Sequence, residues 1–238
     1  MKLFGKNPVR ERLMSDPGSI HKLYLQRQTD LSDIVKTAKK AGIYFESVSR
    51  EKFLRLCGKE NAQGVMAEIS DFKYAPFDAI LSDAVKKNIY PVFIDGVTDP
   101  QNLGSIIRSL ACMGGFSIVL PEHRSVRVNE TVLRIACGGE NHIRISSITN
   151  TVKGLKAAHD RGLWVAGAAA GAGESVAAAE IRTPLAVVIG SEGKGIRPGV
   201  LTHLDAELSL SMRGADLSYN VSVATALFCY EVQRKINT

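Results

Sequence analysis

Apolar positions in the second half of the chain follow two alternating patterns. Runs that are apolar throughout, such as 91–94 and 185–189, end at aspartate or glycine and are typical of strands buried on both faces. Between such runs, apolar residues recur at every third or fourth position, which is typical of helices packed on one face. Further strands are predicted at 116–120, 143–147, 163–168 and 207–212, and helices at 129–137, 150–160 and 218–235. The alternation predicts an α/β domain with a parallel sheet covered by helices on both faces.

The first third of the chain shows the same alternation in shorter units. Helices are predicted after the caps Asn7, Asp30 and Ser49, and strands at 22–26, 43–48 and 64–69. Both patterns then weaken around Pro76, apart from a short helix at 79–86, and such a stretch is typical of a linker. We therefore predict a small three-layer α/β domain at 1–72, a linker at 73–88 and a second domain at 89–238.

The turn after the strand at 91–94 places two polar side chains near the start of a helix. Asp99 and Pro100 have the residue types of an N-cap and a first helical position. Arg108 lies off the apolar face of that helix, and in isolation Asn102 would be a turn former and Arg108 a solvated helix residue. However, turns at the carboxyl ends of parallel strands are where α/β folds bind ligands. This turn is therefore a candidate site.

Two later turns have the same position after an apolar strand. Residues 190–195 form a glycine-rich turn whose Gly-x-x-Gly-x-Gly spacing matches neither a P-loop nor a dinucleotide-binding fingerprint. Its glycines indicate that the backbone closely approaches another loop or a ligand. The last predicted helix opens with Ser218 and Asn220, which are good capping residues. Because turns at one edge of a parallel sheet can converge, the three turns predict one pocket.

Composition and charge narrow the class of protein. The 238 residues are 45% apolar and 23% charged, which is ordinary for a soluble globular protein. No apolar run approaches the roughly 20 residues that a membrane span needs, and no signal-peptide core follows the start, so we expect a cytoplasmic protein. The net charge of +6 and a pI near 9.2 favour an acidic partner, with nucleic acid first among the candidates. Residues 1–72 carry 13 Lys/Arg against 9 Asp/Glu, and the remainder 17 against 15, so the first domain is the more basic.

The cysteines do not predict a metal site. The four residues Cys57, Cys112, Cys137 and Cys229 are far apart, with no Cys-x-x-Cys pair and no histidine at ligand spacing. Their apolar surroundings predict small buried side chains rather than redox or nucleophilic groups. We therefore expect no metal site.

Three segments together resemble the motifs of a known family. They read NLGSIIRS at 102–109, VVIGSEGKGI at 187–196, and LSLSM followed by LSYNVSVATAL within 208–227. In this order they closely resemble the three motifs of the SpoU (TrmH) family of RNA ribose 2'-O-methyltransferases, over residues 91 to 236. FGKNPV near the start and AQGVMAEI at 62–69 also resemble the small substrate-binding domain that precedes the catalytic domain in the ribosomal-RNA guanosine branch.

This resemblance implies a fold, a cofactor and a partner. It implies an α/β methyltransferase domain with the deep trefoil knot of the SPOUT superfamily, acting as a homodimer whose interface includes the knot. It also implies that S-adenosylmethionine binds in the knot loops, largely through backbone groups. The implied cofactor-binding residues are Ile189, Gly190, Glu192, Gly193, Leu208, Leu210, Tyr219 and Val221. The implied catalytic residues are Asn102, Arg108, Glu192, Ser218 and Asn220.

Arg108 is the residue to which the family assigns activation of the ribose hydroxyl. A guanidinium keeps its proton in proteins, so a role as base is chemically unfavourable. We expect Arg108 to bind the target phosphate or hydroxyl and to stabilise developing alkoxide charge. Asn102, Glu192 and Ser218 are then expected to hold Arg108 and the ribose in place.

The third motif departs from the family pattern at two positions. Ser211 stands where the family usually has proline, and Tyr219 where it usually has leucine. Both positions are expected to line the cofactor pocket. Because the family's contacts there are mostly made by the backbone, we expect S-adenosylmethionine binding to be retained.

The leading hypothesis is an enzyme that methylates the ribose 2'-hydroxyl of a guanosine in large-subunit ribosomal RNA. The basic first domain is expected to recognise RNA through phosphates and 2'-hydroxyls. One alternative is a transfer-RNA ribose 2'-O-methyltransferase, because such enzymes share the catalytic motifs. Another is a non-catalytic RNA-binding or ribosome-assembly protein, which the presence of all five expected polar residues disfavours. The glycine spacing disfavours a nucleotide-dependent α/β enzyme.

Overall fold

The chain forms two compact units. A computed structural model describes residues 1–58, 62–169, 171, 173–214 and 217–237. One unit comprises Met1–Lys73 with Val128–His142, and the other comprises Tyr74–Arg127 with Ile143–Thr238. The chain therefore passes from one unit to the other three times.

The helices and strands alternate along most of the chain. The helices are α1 (Lys6–Ser15), α2 (Ser32–Lys40), α3 (Arg50–Cys57), α4 (Phe77–Lys87), α5 (Pro100–Met113), α6 (Glu130–Ala136), α7 (Thr151–Asp160), α8 (Pro198–Leu201) and α9 (Val221–Ile236). The strands are β1 (Lys2–Phe4), β2 (Ile20–Gln26), β3 (Glu46–Val48), β4 (Val65–Ile69), β5 (Tyr90–Ile94), β6 (Phe116–Pro121), β7 (Ile145–Ile148), β8 (Trp164–Ala168), β9 (Glu174–Ser175), β10 (Leu185–Ile189) and β11 (Ala206–Ser209). In the part of the chain that the structure describes, no helix combines the length and the apolar character that a membrane span needs.

A mixed sheet forms the centre of the first unit. Within the described residues its strands lie in the order β1–β4–β2–β3, with β2 and β3 parallel and the other pairs antiparallel. The sequence pattern missed β1, because three residues before Gly5 are too few for an alternation to be recognised. The first unit is α/β, as predicted, and the side chains of Phe4, Tyr24, Phe53 and Met66 pack together in one core cluster.

A later segment of the chain completes the first unit. Helix α6 packs beside β1, and the backbone N–H of Lys2 donates to Glu130 Oε1 at 2.6 Å. The fully buried carboxylate of Glu140 accepts a hydrogen bond from Arg12 Nη2 at 3.0 Å. Burial raises the pKa of Glu140, although Arg12 acts in the opposite direction. The prediction that 89–238 forms one continuous domain therefore needs correction, since Val128–His142 packs with the first unit.

The predicted linker at 73–88 also needs correction. Helix α4 spans Phe77–Lys87, which extends the predicted short helix by two residues at its start and one at its end. Ile80, Leu81 and Ala84 on α4 are fully buried and belong to the same core cluster as Phe93 of β5. Most of the expected linker is therefore an integral helix of the second unit, which begins at Tyr74.

The second unit is built on a parallel sheet. Over the described residues the strand order is β7–β6–β5–β10–β8–β11–β9, and every pairing in it is parallel. All residues of β5 and β10 are buried, as the uniformly apolar runs predicted. The predicted parallel α/β architecture is confirmed, and the carboxyl ends of β5 and β10 lie side by side, with Ile189 opposite Ile94.

The two helices that face each other beyond these strands have well-defined starts. Asp99 caps α5 by accepting a hydrogen bond from the N–H of Gln101 at 2.8 Å, and Pro100 opens the helix as predicted. Helix α9 begins at Val221 instead of 218, and its cap is Asn220, which corrects the predicted start. Helix α9 packs against α5, where Gln233 Nε2 donates to the carbonyl of Met113 at 3.1 Å.

The cysteines are only partly as predicted. Cys57 and Cys229 are buried, and burial raises the pKa of both thiols. Cys137 is half-buried, whereas Cys112 is exposed. The prediction was wrong for Cys112, because this residue lies on α5 away from the buried stripe that contains Leu110.

Candidate active site

Side chains from the three candidate turns meet in the second unit. Asn102 on α5 donates from Nδ2 to Glu192 Oε1 at 3.0 Å. Asn220 donates from Nδ2 to Asn102 Oδ1 at 3.0 Å and to Glu192 Oε1 at 2.8 Å. We call these three residues the amide–carboxylate cluster. The prediction that the three turns converge is confirmed by this geometry.

Asn220 links the cluster to the start of α9. Its Oδ1 accepts hydrogen bonds from the N–H of Ser222 at 2.9 Å and from the Ser222 hydroxyl at 2.6 Å. A side-chain amide carries both a carbonyl acceptor and two N–H donors, so one residue can cap the helix and bind two further side chains. The Asn220 side chain therefore connects the first turn of α9 directly to Glu192.

A short hairpin holds Glu192 in place. The N–H of Ser191 donates to the carbonyl of Gly195, and the N–H of Gly195 donates to the carbonyl of Ser191, both at 3.0 Å. At Gly190, a Cβ atom would lie 2.1 Å from the carbonyl carbon of Gly195, so only glycine allows the chain to fold back here. The glycines predicted that the backbone closely approaches another loop or a ligand. In the structure, the backbone at Gly190 approaches the backbone of Gly195, within the same hairpin.

Two adjoining cavities open beside the hairpin and the start of α9. The larger has a volume of about 460 Å³, and the smaller about 90 Å³. Both are lined by Ala168, Ser218, Tyr219 and Ala224. Six predicted cofactor residues line the larger cavity, namely Ile189, Gly190, Glu192, Gly193, Tyr219 and Val221. The other two, Leu208 and Leu210, line the smaller one.

The five predicted catalytic residues are not all equally placed. Asn102, Glu192 and Asn220 form the amide–carboxylate cluster, and Ser218 lies in the wall of both cavities. Arg108 is exposed on α5, six residues beyond Asn102, and lies outside the lining of both cavities. The structure therefore joins three of the five by hydrogen bonds and places Ser218 in the wall of the cavity that Glu192 and Asn220 also line.

Comparisons with known proteins agree with this geometry. Residues 90–230 match the SpoU rRNA Methylase family, and residues 2–75 match a domain described as RNA 2'-O ribose methyltransferase substrate binding. The first match spans more than half of the chain and includes all three motif segments. The chain belongs to the SpoU family.

SpoU relatives match the chain over nearly its whole length. The TrmH-family protein YacO of Bacillus subtilis, whose name describes a tRNA/rRNA methyltransferase, is 38% identical over 99% of this chain and 96% of its own. The 23S rRNA (guanosine-2'-O-)-methyltransferase RlmB of Ralstonia nicotianae is 32% identical over 98% of this chain and 95% of its own. The structure of the SpoU methyltransferase AviRb from Streptomyces viridochromogenes, in complex with AdoMet, superposes with a TM-score of 0.81. That match covers 100% of this chain and 91% of AviRb at 21% identity, so it supports the fold alone.

The larger cavity has the size and chemistry that the SpoU cofactor requires. A volume of about 460 Å³ lies within the usual range for sites that enclose a small organic ligand. The glycine hairpin brings backbone groups to the larger cavity, and Leu208 and Leu210 supply apolar surface to the smaller cavity beside it. The Glu192 carboxylate in the wall favours a positively charged group such as a sulfonium. S-adenosylmethionine therefore fits the residues present.

The two departures from the SpoU pattern have distinct surroundings. The Ser211 hydroxyl lies 3.1 Å from the Ser175 hydroxyl, so it links the third motif to β9 in a way that proline could not. Tyr219 lines both cavities and is itself partly exposed to solvent. The prediction that both positions line the cofactor pocket therefore holds for Tyr219 but was wrong for Ser211, which lies outside the lining of both cavities.

Sequence reasoning missed an ion pair next to the hairpin, in which the carboxylate is buried. Asp95, at the end of β5, is buried, and Arg197 donates from Nε to its Oδ2 at 2.8 Å. This hydrogen bond raises the pKa of Arg197 further. The available signals were an acidic residue directly after a fully apolar strand and an arginine two residues beyond the glycine turn. Because 102 positions separate them, no local pattern could pair them.

Proposed function

We propose that this SpoU-family protein transfers a methyl group from S-adenosylmethionine to a ribose 2'-hydroxyl of RNA, at a guanosine of large-subunit ribosomal RNA. The observation that carries the proposal is the amide–carboxylate cluster, of which Glu192 and Asn220 line a cavity of about 460 Å³ and Asn102 donates to Glu192. The RlmB relative, 32% identical over 98% of this chain, supports guanosine in ribosomal RNA as the target.

The proposed residue roles follow from this placement. When bound, S-adenosylmethionine supplies a methyl group on a positively charged sulfur. Asn102 and Asn220 hold the Glu192 carboxylate by two hydrogen bonds at 3.0 and 2.8 Å. Glu192 is therefore already in position to orient its neighbours, and its side chain need not rearrange during the reaction. Ser218, in the wall of both cavities, orients the ribose.

Arg108 has a different proposed role. The 2'-hydroxyl must lose its proton to solvent for its oxygen to accept the methyl group, and a guanidinium N–H group stabilises the negative charge left on that oxygen by donation. Arg108 is exposed on α5, which suits a residue that meets the RNA instead of the cofactor. Its planar fork also binds a phosphate or an alkoxide in a defined orientation.

The first unit is proposed to bind the RNA. Its residues 1–72 carry the larger surplus of positive charge, and residues 2–75 match a substrate-binding domain. Helix α6 and the turn after it belong to this unit, so we assign the RNA-binding role to Met1–Lys73 together with Val128–His142. We further propose the family's trefoil knot for the second unit, and a cytoplasmic location, where the RNA substrate resides.

The proposed homodimer has a candidate surface on α9. Val223, Leu227 and Tyr230 are 45, 40 and 57% exposed, and they recur at the spacing of one helical face. Single exposed apolar residues are common, but an aligned row of three is typical of an interface. We therefore propose that a second copy of this chain packs on this face of α9.

Leu227→Asp is expected to separate the dimer into monomers. Each of two leucines loses burial that stabilises by roughly 1.5–3 kcal/mol, and a charge enters the interface, so the dissociation constant should rise by at least about 100-fold. Light scattering coupled to gel filtration measures the mass. Leu54→Asp, at a 52% exposed position on α3 of the first unit, is the matched control and should stay dimeric. A wild-type protein that is monomeric at micromolar concentration would contradict the proposal.

Mapping of ribose methylation tests the activity itself. Total RNA from cells with and without this protein would be compared for 2'-O-methyl sites, and one guanosine of large-subunit ribosomal RNA is expected to lose its methyl group. Loss confined to transfer RNA would replace the ribosomal substrate with the transfer-RNA alternative. If purified protein bound RNA but transferred no label from methyl-labelled S-adenosylmethionine to the mapped RNA, the enzyme proposal would fail in favour of an RNA-binding protein.

A further inference from the structure

The side chain of Asp95 is fully buried, and its carboxylate connects three segments of the second unit by hydrogen bonds. Arg197 donates to both of its oxygens, from Nε to Oδ2 at 2.8 Å and from Nη2 to Oδ1. The Thr151 hydroxyl, at the first residue of α7, donates to Oδ1 at 2.9 Å. A buried carboxylate is tolerated only when such partners satisfy it. The network therefore joins the end of β5, the start of α7 and the segment just after the hairpin.

The same residue also holds the other arm of the hairpin. The backbone N–H of Asp95 donates to the carbonyl of Ile189 at 2.7 Å, directly before the hairpin begins at Gly190. Arg197 lies two residues after Gly195, where the hairpin closes. Asp95 thus holds the residue before the hairpin, Ile189, through its backbone N–H, and it holds the segment after the hairpin, at Arg197, through its carboxylate. Glu192 lies between these two fixed points.

We propose that Asp95 and Arg197 are positioning residues that anchor the hairpin, so that Glu192 meets Asn102 and Asn220 and the cofactor cavity keeps its shape. The two-pronged contact of the guanidinium fixes direction as well as distance, which a lysine ammonium cannot do. The part of this inference that concerns S-adenosylmethionine rests on the proposed function. The anchoring of the hairpin does not.

A second ion pair of the same unit offers a matched control. Arg144 donates from Nη1 to Asp83, whose side chain is 8% exposed, and the arginine is 51% exposed against 43% for Arg197. This pair joins the residue before β7 to α4 and makes no contact with the hairpin among the hydrogen bonds of the described residues. Arg144→Gln therefore removes a comparable ion pair without removing the anchor.

Hydrogen exchange of the protein without ligand tests the anchor directly. Arg197→Lys and the double variant Asp95→Asn/Arg197→Met should speed exchange of peptides covering 190–197 by about tenfold or more, because the returning arm is released. Arg144→Gln should leave those peptides unchanged. The double variant removes both charges, so it avoids the unpaired buried carboxylate that could unfold a single Arg197→Met protein. Unchanged exchange in both Arg197 variants would overturn the inference.

Cofactor affinity and turnover test the consequence for the site. In the double variant, the Kd for S-adenosylmethionine should rise by about tenfold and kcat should fall, even where the unfolding temperature is close to that of wild type. Arg197→Lys should lie between wild type and the double variant. A double variant with the unfolding temperature of wild type and the same Kd for S-adenosylmethionine would show that the ion pair does not position the site. That result would overturn the inference. If wild type itself shows no saturable binding, the proposed function fails, and the exchange result still decides whether the hairpin is anchored.

Discussion

Arg108→Ala is expected to lower the rate of methyl transfer by about 10²- to 10³-fold while leaving the Kd for S-adenosylmethionine unchanged. The rate should fall because the negative charge that deprotonation leaves on the 2'-oxygen loses its N–H donor. The cofactor affinity should persist because Arg108 lies outside the lining of both cavities. Single-turnover transfer of labelled methyl at saturating RNA separates these quantities, together with a titration of RNA binding.

Two further variants sharpen this test. Arg108→Lys keeps the charge but has no planar fork, so an intermediate rate is expected. Arg161→Ala removes another exposed arginine of the same unit, one that donates to Asp78 at 3.2 Å, and should leave the rate within about twofold of wild type. If Arg108→Ala lost RNA affinity in full proportion to its loss of rate, Arg108 would serve binding only.

Asn220→Asp is expected to lower kcat by about 10²-fold while preserving the cap of α9. Aspartate caps a helix as well as asparagine does, so the hydrogen bond from the Ser222 N–H should remain. The change removes the Asn220 N–H groups that donate to Asn102 and Glu192, and it places a second carboxylate beside Glu192. In wild type, Asn220 Nδ2 lies 2.8 Å from Glu192 Oε1. Like charges at this distance repel, so Glu192 should move. Steady-state kinetics together with thermal unfolding measures both effects.

The pH dependence of Asn220→Asp gives an independent check. Repulsion between the two carboxylates favours uptake of a proton that they share, so the destabilisation should be greatest at high pH and should disappear once the pair is protonated. The unfolding temperature of the variant should therefore approach that of wild type as the pH is lowered. Ser222→Ala, which removes a hydroxyl from Asn220 Oδ1 but leaves the cluster donors, is the control and should keep kcat within about threefold. An Asn220→Asp protein with wild-type kcat would show that the cluster does not serve catalysis.

Strong local signals predicted the elements that position the site. The uniformly apolar runs of β5 and β10 were recognisable because a strand buried on both faces leaves no polar position within it. The start of α5 was equally clear, since Asp99 and Pro100 each have a residue type that favours one helical position. The start of α9 was less certain, because Ser218 and Asn220 are both good caps and only tertiary contacts select Asn220.

The candidate site could be located but not assembled from the sequence. The pattern placed three turns at one edge of a sheet, and the family resemblance supplied the identities of the five polar residues. The hydrogen bonds from Asn102 and Asn220 to Glu192 depend on contacts across 90 and 28 positions, which no periodicity encodes. The pairing of Asp95 with Arg197 is of the same kind. The sequence also failed to predict that Val128–His142 belongs to the first unit, because that assignment depends on contacts between residues far apart in the chain.

The return of Val128–His142 to the first unit has a consequence for biosynthesis. Domains generally fold in order as the chain leaves the ribosome. Here the Lys2 N–H and the Arg12 guanidinium find their carboxylates, Glu130 and Glu140, only after residue 140 has been made. The amino-terminal unit therefore finishes folding after the first strands of the catalytic unit have emerged. A gene fusion that transplants residues 1–73 alone would leave its product without α6 and without Glu140, the buried partner of Arg12.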